Sequence, residues 1–449
     1  MRLSHHGDEL ARVEADLRPR WPETRLEPSL TRITALMDVL GDPQLAYPVI
    51  QVTGTNGKTS TARMIDQLLR GFGLRVGRFT SPHLASITER ISIEGAPITA
   101  SRFAQVYDEV APYLPMVDDR QPIALSYFEV LTALGYAAFA DAPVDVAVVE
   151  VGMGGRWDST SVADAQIAVV TPIELDHTNY LGDDVGSIAK EKAGIIKSGT
   201  TAVLARQPPE ALDPLLQRAV EVDATVAREG MEFGLVERRI AVGGQLITLQ
   251  GLGGTYDEVF LPLHGAHQSQ NAAVALAAVE AFFGAGAQGR VDIDVVRAGF
   301  AGVRAPGRLE VVRSAPTMLV DATHNPAGMR ATVAAVQEAF DFRRLVAVVA
   351  SMADKDVRRM LEVLEPVVDQ LVATANSSPR CLPPDDLAAI AVDVFGADRV
   401  TVEMRLDDAL DTAVRLAEED VQAYGGSGIL VTGSVVTAGE ARVLLGASS

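Results

Sequence analysis

The hydrophobic residues of this chain fall into short runs that alternate with amphipathic stretches. A β-branched run covers 48–52, and a helical spacing follows it over 61–73. A second helical pattern covers 126–140. Further apolar runs, each of strand length, follow at 144–151, 166–171 and 201–205. Strands that alternate with helices in this way predict an α/β fold, in which helices cover a mostly parallel sheet.

The pattern changes between about 230 and 263, where short segments are separated by glycine pairs. Gly243-Gly244 and Gly253-Gly254 are typical of tight turns, so this stretch predicts antiparallel hairpins. A helical run over 270–284 then leads to a joint that contains glycine and proline, 302–308. Beyond the joint the alternation resumes, with strands predicted at 317–321, 344–350, 369–374, 399–403 and 428–432. We therefore predict two domains, 1–303 and a smaller α/β unit, 304–449.

The amino-acid composition indicates the broad class to which the protein belongs. The chain has 449 residues, of which 48% are hydrophobic and 22% charged, as in ordinary globular proteins. No stretch approaches the ~18 uninterrupted apolar residues of a membrane span, and the first residues show no apolar signal region. The single cysteine, Cys381, excludes a disulfide framework within the chain. These features predict a cytoplasmic location and no membrane partner.

The charge balance limits the partners. With 39 basic and 59 acidic residues, the net charge is −20, which argues against nucleic acid as a partner. An anionic substrate must therefore meet local positive charge. Lysine is rare among the basic residues, so the few lysines present are candidates for positions where arginine cannot serve. They are Lys58, Lys190, Lys192, Lys197 and Lys355.

The first chemical motif is Gly54-Thr-Asn-Gly-Lys-Thr-Ser60, between a predicted strand and a predicted helix. Backbone N–H groups in such a loop can cradle phosphate at a helix N-terminus, and Lys58 can neutralise the β- and γ-phosphates. Thr59 or Ser60 can reach a magnesium ion. The loop therefore predicts ATP binding in the first domain.

Seven motifs in order resemble the folylpolyglutamate synthase/dihydrofolate synthase family, over about residues 30–445. The family belongs to the ATP-dependent amide ligases that also include the muramyl-peptide ligases. The matching segments are Gly54–Ser60, Thr80-Ser-Pro-His-Leu84 with Glu89-Arg90, Tyr127-Phe-Glu129, Glu150-Val-Gly-Met-Gly-Gly-Arg-Trp-Asp158, Leu175-Asp-His177, Glu191-Lys-Ala-Gly-Ile195 and Asp321-Ala-Thr-His-Asn-Pro326.

The resemblance implies a P-loop-type ATP-binding domain with a small antiparallel section, followed by a Rossmann-like C-terminal domain. It also implies a reaction. ATP phosphorylates the carboxylate of a folate or of dihydropteroate, and the amine of L-glutamate then attacks the acyl phosphate. The residues that it assigns to ATP are Gly54, Thr55, Asn56, Gly57, Lys58, Thr59, Ser60, Asn271, Arg308, Asp321 and His324.

Two magnesium ions are implied as well. The matching positions are Ser81, Glu150, His177 and Lys192, the last as a carbamate. Glu150 also ends an apolar strand, where an unpaired carboxylate would be costly, so a cation partner is favoured independently. The catalytic residues implied are Lys58, His177 and Lys192. The resemblance assigns folate binding to Phe128, Arg156 and Asp158. It assigns glutamate binding to Arg380 in the second domain.

Two other functions remain open at this point. A muramyl-peptide ligase is the nearer alternative, because those enzymes also use Gly-Lys-Thr in the loop; the segment Ser81-Pro-His-Leu84 argues against it. A non-enzymatic switch driven by ATP is the second, but it leaves Glu150, His177 and Lys192 without a purpose. The resemblance further implies a monomer that acts on small molecules.

Overall fold

The computed structural model describes residues 2–22, 25, 27–284, 286, 289–419 and 426–447, with side chains from residue 8 onward. Its strands are β1 Val49–Thr53, β2 Val76–Phe79, β3 Ile91–Ile93, β4 Ala96–Pro97, β5 Val146–Glu150, β6 Ile167–Val170, β7 Thr201–Leu204, β8 Thr225–Arg228, β9 Gly234–Ala241, β10 Gly244–Gln250, β11 Thr255–Leu261, β12 Glu310–Ser314, β13 Thr317–Val320, β14 Arg344–Val349, β15 Gln370–Ala373, β16 Val400–Val402 and β17 Ser427–Thr432.

Sixteen α-helices occur in this described part. They are α1 Arg2–Leu17, α2 Thr31–Val39, α3 Lys58–Gly71, α4 Ala100–Val110, α5 Leu114–Asp118, α6 Tyr127–Asp141, α7 Thr178–Leu181, α8 Val185–Lys192, α9 Pro209–Glu221, α10 Ala266–Phe282, α11 Ile293–Ala301, α12 Pro326–Ala339, α13 Val357–Leu364, α14 Pro384–Phe395, α15 Leu406–Glu418 and α16 Val435–Leu444. Within the same residues, none of the helices is long and apolar enough to cross a membrane.

The first sheet has eight strands in the order β4-β3-β2-β5-β1-β6-β7-β8, and most of its pairs are parallel. Strand β1 is central, because it pairs with β5 on one side and with β6 on the other. Its side chains alternate between two cores: Ile50 and Val52 pack with α3 and α10, whereas Val49 packs with α6. A strand buried on both faces reads as an uninterrupted apolar run, which is why the sequence predicts it.

Strands β9, β10 and β11 form a separate antiparallel sheet, as the glycine pairs predict. Gly243 turns the chain between the first two strands with a φ of +75°, a conformation that favours glycine. Ile247, Leu249 and Val259 point from this sheet into the core that also contains α10. The sheet is therefore packed onto the first one through that helix.

The third sheet follows the order β12-β13-β17-β14-β15-β16 and is parallel except for its edge strand β12. The last strand of the chain, β17, lies in its middle and pairs with both β13 and β14. Helices on both faces of this sheet bury two hydrophobic cores. The fold is thus mixed α/β with a mostly parallel sheet and an antiparallel section, which confirms the predicted fold class.

The structure contains some strands that the sequence does not predict. Strand β2 contains Arg78, a charge that interrupts the apolar run; the structure buries it against Asp66 of α3 and Ser92 of β3. In strand β12, two of the last three side chains are exposed, which is common in a strand at the edge of a sheet. Their hydrophobic patterns are therefore too weak to identify them.

Candidate active site

The loop after β1 forms the N-terminal end of α3, with Gly57 directly before the helix. Gly57 has a φ of +89°, and a Cβ there would lie 2.6 Å from Oδ1 of Asn271. At Gly54, with a φ of +142°, a Cβ would lie 1.9 Å from Oγ1 of Thr171. Both positions therefore require glycine, and the loop brings its backbone N–H groups to a helix N-terminus, where anions are stabilised.

Two lysines converge on one carbonyl oxygen of this loop. Lys58 Nζ donates hydrogen bonds to the carbonyl oxygens of Gly54 and Thr55 at 3.1 and 3.2 Å. Lys192 Nζ, at the end of α8, donates to the same Gly54 oxygen at 2.8 Å. Burial lowers the pKa of both amines, and that of Lys192 falls to about 7, helped by the neighbouring charge of Lys58. At neutral pH, Lys192 therefore holds a substantial fraction of neutral amine.

The lowered pKa of Lys192 makes stability depend on pH. Between about pH 7 and the ordinary pKa of lysine, the unfolded chain binds more protons at this position than the folded chain. The free energy of unfolding therefore rises with pH across this range. We expect Lys192→Met to be more stable than the wild type at pH 7, with a difference that shrinks toward pH 9. Urea unfolding of both proteins in bicarbonate-free buffer measures it; a constant difference contradicts the shifted pKa.

Glu150 lies at the end of β5 with 1% of its surface exposed. Its Oε1 accepts a hydrogen bond from Oγ1 of Thr59 at 2.9 Å, whereas Oε2 is buried without a hydrogen-bond partner among the described residues. Burial raises the pKa of this carboxyl, and the charge of Lys58 opposes the rise. The backbone of Ser81 also donates to the carboxylate. A carboxylate oxygen left unpaired next to a phosphate loop is chemically suited to a cation.

The carboxylate of Asp176 links the first domain to the second. Its Oδ1 accepts a hydrogen bond from Nζ of Lys355 at 2.8 Å, and its Oδ2 lies 3.8 Å from Nε2 of both His177 and His324. Burial raises the pKa of the Asp176 carboxyl, but these three cationic or ionisable neighbours outweigh it and hold the pKa below its usual value. Burial lowers the pKa of His177 to about 4, so its imidazole is neutral at pH 7.

The second domain also reaches the phosphate loop directly. Nδ2 of Asn325, just before α12, donates to Oδ1 of Asn56 at 3.0 Å. Asp321 is buried and accepts hydrogen bonds from the backbone of Leu309 and Thr323 at 2.7 and 2.9 Å. Burial lowers the pKa of Lys58 and of His324, and the charge of Arg308 adds to both shifts. Of the predicted ATP residues of the second domain, Arg308 therefore lies near Lys58 of the loop, and His324 lies near Asp176.

A cavity of about 410 Å³ opens between the two domains. His177, His324 and Lys355 line it, and so do the aromatic side chains Trp21, Phe128 and Trp157. Such a cavity, apolar with a few convergent polar groups, is typical of a site for a small organic molecule.

The other predicted substrate residues are placed unequally. Asp158 borders the cavity, but its carboxylate already accepts hydrogen bonds from the backbone of Met153 and Thr160 at 2.9 and 3.0 Å. Arg380 lines the cavity and pairs with Asp354 at 2.8 Å. Arg156 is exposed and is not among the cavity-lining residues. Its role in binding folate therefore has no support from its position.

Sequence reasoning overlooked several residues that the fold brings to the site. The carboxylate of Asp176 and the amide of Asn325 stand inside motifs that the sequence singles out, next to His177 and His324, yet only their neighbours receive a role there. Trp21 has only its residue type as a signal. In the part of the chain that the structure describes, no three His, Cys, Asp or Glu side chains converge as a metal site.

The chain is similar to known proteins in family, sequence and structure. The family model "Mur ligase middle domain" matches residues 52–279, and "Mur ligase, glutamate ligase domain" matches 307–435. A dihydrofolate synthase/folylpolyglutamate synthase of Mycobacterium tuberculosis is 54% identical, over 97% of this chain and 94% of the relative.

Solved structures show the same similarity. Folylpolyglutamate synthase of Mycobacterium tuberculosis complexed with ADP superposes with a TM-score of 0.95, at 53% identity over 99% of both chains. Escherichia coli FolC in complex with DHPP and ADP superposes with a TM-score of 0.83, at 29% identity over 98% of both chains.

Proposed function

Because the chain belongs to the dihydrofolate synthase/folylpolyglutamate synthase family of Mur ligases, we propose how its own residues carry out the family's reaction. It is an ATP-dependent ligase that joins glutamate to a folate. We propose that it also accepts dihydropteroate. One observation carries the assignment of the site: the phosphate loop holds two buried lysines near the unpaired oxygen of Glu150, and Ser81, whose backbone donates to Glu150, lines a cavity that also contains aromatic side chains.

The reaction needs activation because a carboxylate is a poor electrophile. A carboxylate oxygen of the folate attacks the γ-phosphorus of ATP, the bond to the β-phosphate oxygen breaks, and ADP leaves. The neutral amine of glutamate then attacks the acyl carbon, phosphate leaves, and the amine nitrogen loses a proton. The chain's part is to position the three substrates and to stabilise the negative charge that develops on the phosphoryl oxygens.

Particular residues suit these tasks. The backbone N–H groups at the start of α3 and the ammonium of Lys58 face the β- and γ-phosphates, which draw Lys58 from its two carbonyl partners. Asn271, whose side chain lies against Gly57, and Arg308, Asp321 and His324 of the second domain complete the nucleotide site. His177, whose pKa is about 4, offers a neutral imidazole nitrogen. Phe128 and Asp158 bind the pterin end, and Arg380 binds a glutamate carboxylate.

The residues fit magnesium, which we propose at two positions. Glu150 presents a buried oxygen that lacks a partner among the described residues; the hydroxyl of Thr59 donates to its other oxygen, and the backbone of Ser81 also donates to this carboxylate. Oxygen donors of this kind are those that Mg²⁺ prefers, and water and phosphate oxygens usually complete its shell. When bound, the ions withdraw charge from the phosphates and so favour phosphoryl transfer.

Lys192 fits carbamylation. The reaction with CO₂ requires a neutral amine, and burial gives this amine a pKa of about 7. The side chain has 4% of its surface exposed, so the product is shielded from water. We propose that the carbamate serves as the carboxylate-like ligand of the second magnesium ion, together with His177.

We propose the following division of the chain into two domains. Residues 1–303 form the ATP-binding domain and 304–449 the domain that binds glutamate. We propose a cytoplasmic monomer that acts on small molecules and has no nucleic-acid or membrane partner, in keeping with the net charge of −20.

Phosphate release tests the function. With ATP, Mg²⁺ and L-glutamate present, we expect release with tetrahydrofolate and with dihydropteroate, and little release when glutamate or the pterin is omitted. A UDP-muramyl peptide in place of the pterin serves as the control acceptor. Release with the muramyl peptide alone, or release that needs no acceptor, contradicts the proposal.

A further inference from the structure

The loop between β2 and β3, residues 80–86, is held firmly on the side of the first domain. The carboxylate of Glu89 accepts hydrogen bonds from the backbone N–H groups of Leu84, Ala85 and Ser86 at 2.9, 3.0 and 2.9 Å. The Ser86 side chain and Glu89 also form a capping box on the short helical turn Ile87–Arg90. These contacts tie the backbone of residues 84–86 to the carboxylate of Glu89.

The same loop is inserted into the second domain. The side chain of Leu84 packs against the hydrophobic cluster that contains Val320, Ala438 and Ala441. A Cβ on Gly439 of α16 would lie 1.9 Å from the carbonyl oxygen of Leu84, so the loop backbone touches the helix directly. A Cβ on Gly307 would lie 3.1 Å from Cδ2 of the same leucine. Leu84 therefore packs against two glycines of the second domain.

At the other end of the loop stands Ser81, three residues before Leu84. Its backbone hydrogen bond to Glu150 places it beside the buried carboxylate that also accepts from Thr59. Only Pro82 and His83 separate Ser81 from Leu84, and proline restricts the backbone between them, so a shift of Leu84 acts on Ser81 through a short segment.

We propose that Leu84 is a positioning residue for nucleotide cleavage. It ties the part of the site formed by Ser81 and Glu150 to α16, so the geometry around the phosphates depends on where the second domain stands. This inference rests on the proposed function, because it takes Ser81 and Glu150 to act at the phosphates of ATP. No atom of Leu84 itself needs to touch a substrate.

The test is a double-mutant cycle between Leu84→Ala and Ser81→Ala, with kcat and KM of phosphate release measured for each protein. We expect Leu84→Ala to lower kcat at least tenfold. If the leucine acts through Ser81, the loss caused by Ser81→Ala shrinks in the Leu84→Ala background. Leu84→Met, which keeps the apolar volume, is expected to restore kcat to within threefold of the wild type.

Gly439→Ala approaches the same contact from the second domain. The added methyl group favours the helix itself but cannot fit against the carbonyl of Leu84, so we expect a loss similar to that of Leu84→Ala. Gly234→Ala is the matched control, because its methyl group meets its nearest atom at an ordinary 3.5 Å. Binding of AMPPCP adds a readout without turnover. Leu84→Ala and Gly439→Ala should lose the gain in affinity that Mg²⁺ gives over EDTA, while affinity in EDTA stays within threefold.

Failure of the role proposed for Leu84 and failure of the proposed function give different results. Independent, multiplying losses in the cycle overturn the role of Leu84, as does a folded Gly439→Ala enzyme with wild-type kcat and wild-type Mg²⁺ dependence. If Leu84→Ala unfolds below the assay temperature, Gly439→Ala and Leu84→Met decide alone. A wild-type protein that releases no phosphate with a pterin and glutamate contradicts the proposed function instead.

Discussion

Replacing Lys58 by alanine lowers kcat by on the order of 10³-fold, the loss that follows removal of a group that stabilises transition-state charge. The ammonium stands at the start of α3, and its two partners are carbonyl oxygens of the loop rather than carboxylates. Nothing else in the loop itself carries positive charge toward the phosphates. Stopped-flow or coupled phosphate assays at saturating ATP measure the effect.

Stability is expected to change little in Lys58→Ala. Two hydrogen bonds are lost, but the burial that lowers the pKa of this amine is relieved at the same time. Lys190→Ala is the control, since that lysine is exposed on α8. It should keep full activity. Normal turnover in Lys58→Ala means that the phosphate loop has been assigned wrongly.

Replacing Lys192 has the second large effect. Arginine keeps the charge but cannot form a carbamate under ordinary conditions, so we expect Lys192→Arg to fold and to lose activity by about 10²-fold or more. Lys192→Ala leaves a space where a short carboxylic acid such as acetate can stand in for the carbamate. Part of the activity of Lys192→Ala should therefore return as the acid is added, whereas Lys192→Arg should not respond.

Labelled bicarbonate provides a direct measurement beside the kinetics. A carbamate signal in the NMR spectrum of the wild type, absent from Lys192→Arg, is the expected result. Lys197→Arg is the control, because Lys197 bonds the carbonyl oxygens of Ser161 and Ala163 away from the loop. A fully active Lys192→Arg enzyme rules out the carbamate.

The sequence predicts those elements of the fold whose hydrophobic pattern is simple. Strands β1, β5 and β6 are buried on both faces and therefore read as continuous apolar runs. Strand β2 escapes prediction because Arg78 interrupts it, and only the fold reveals that Asp66 lies beside it. The order of strands in the sheets is equally invisible, since it depends on which runs meet after collapse.

The candidate site divides in the same way. Gly54, Gly57 and Lys58 belong to one local motif, whose spacing alone indicates phosphate binding. Glu150 can be inferred from a charge at the end of an apolar strand. In contrast, Asn325 reaches Asn56 across 269 residues, and Leu84 meets Gly439 only in the folded chain. No local pattern marks such pairs, because their partners are chosen by tertiary packing.

The position of β17 has a consequence for how the protein is made. This strand is the last of the chain, yet it fills the gap between β13 and β14 in the middle of the third sheet. A nascent chain on the ribosome can complete the first sheet early, but the second domain must wait until residues 427–432 have been made. Until then its apolar strands stay exposed, and the chain needs protection from aggregation. Translation that stops before residue 427 therefore yields a chain with an ATP-binding domain and no partner domain to complete the site.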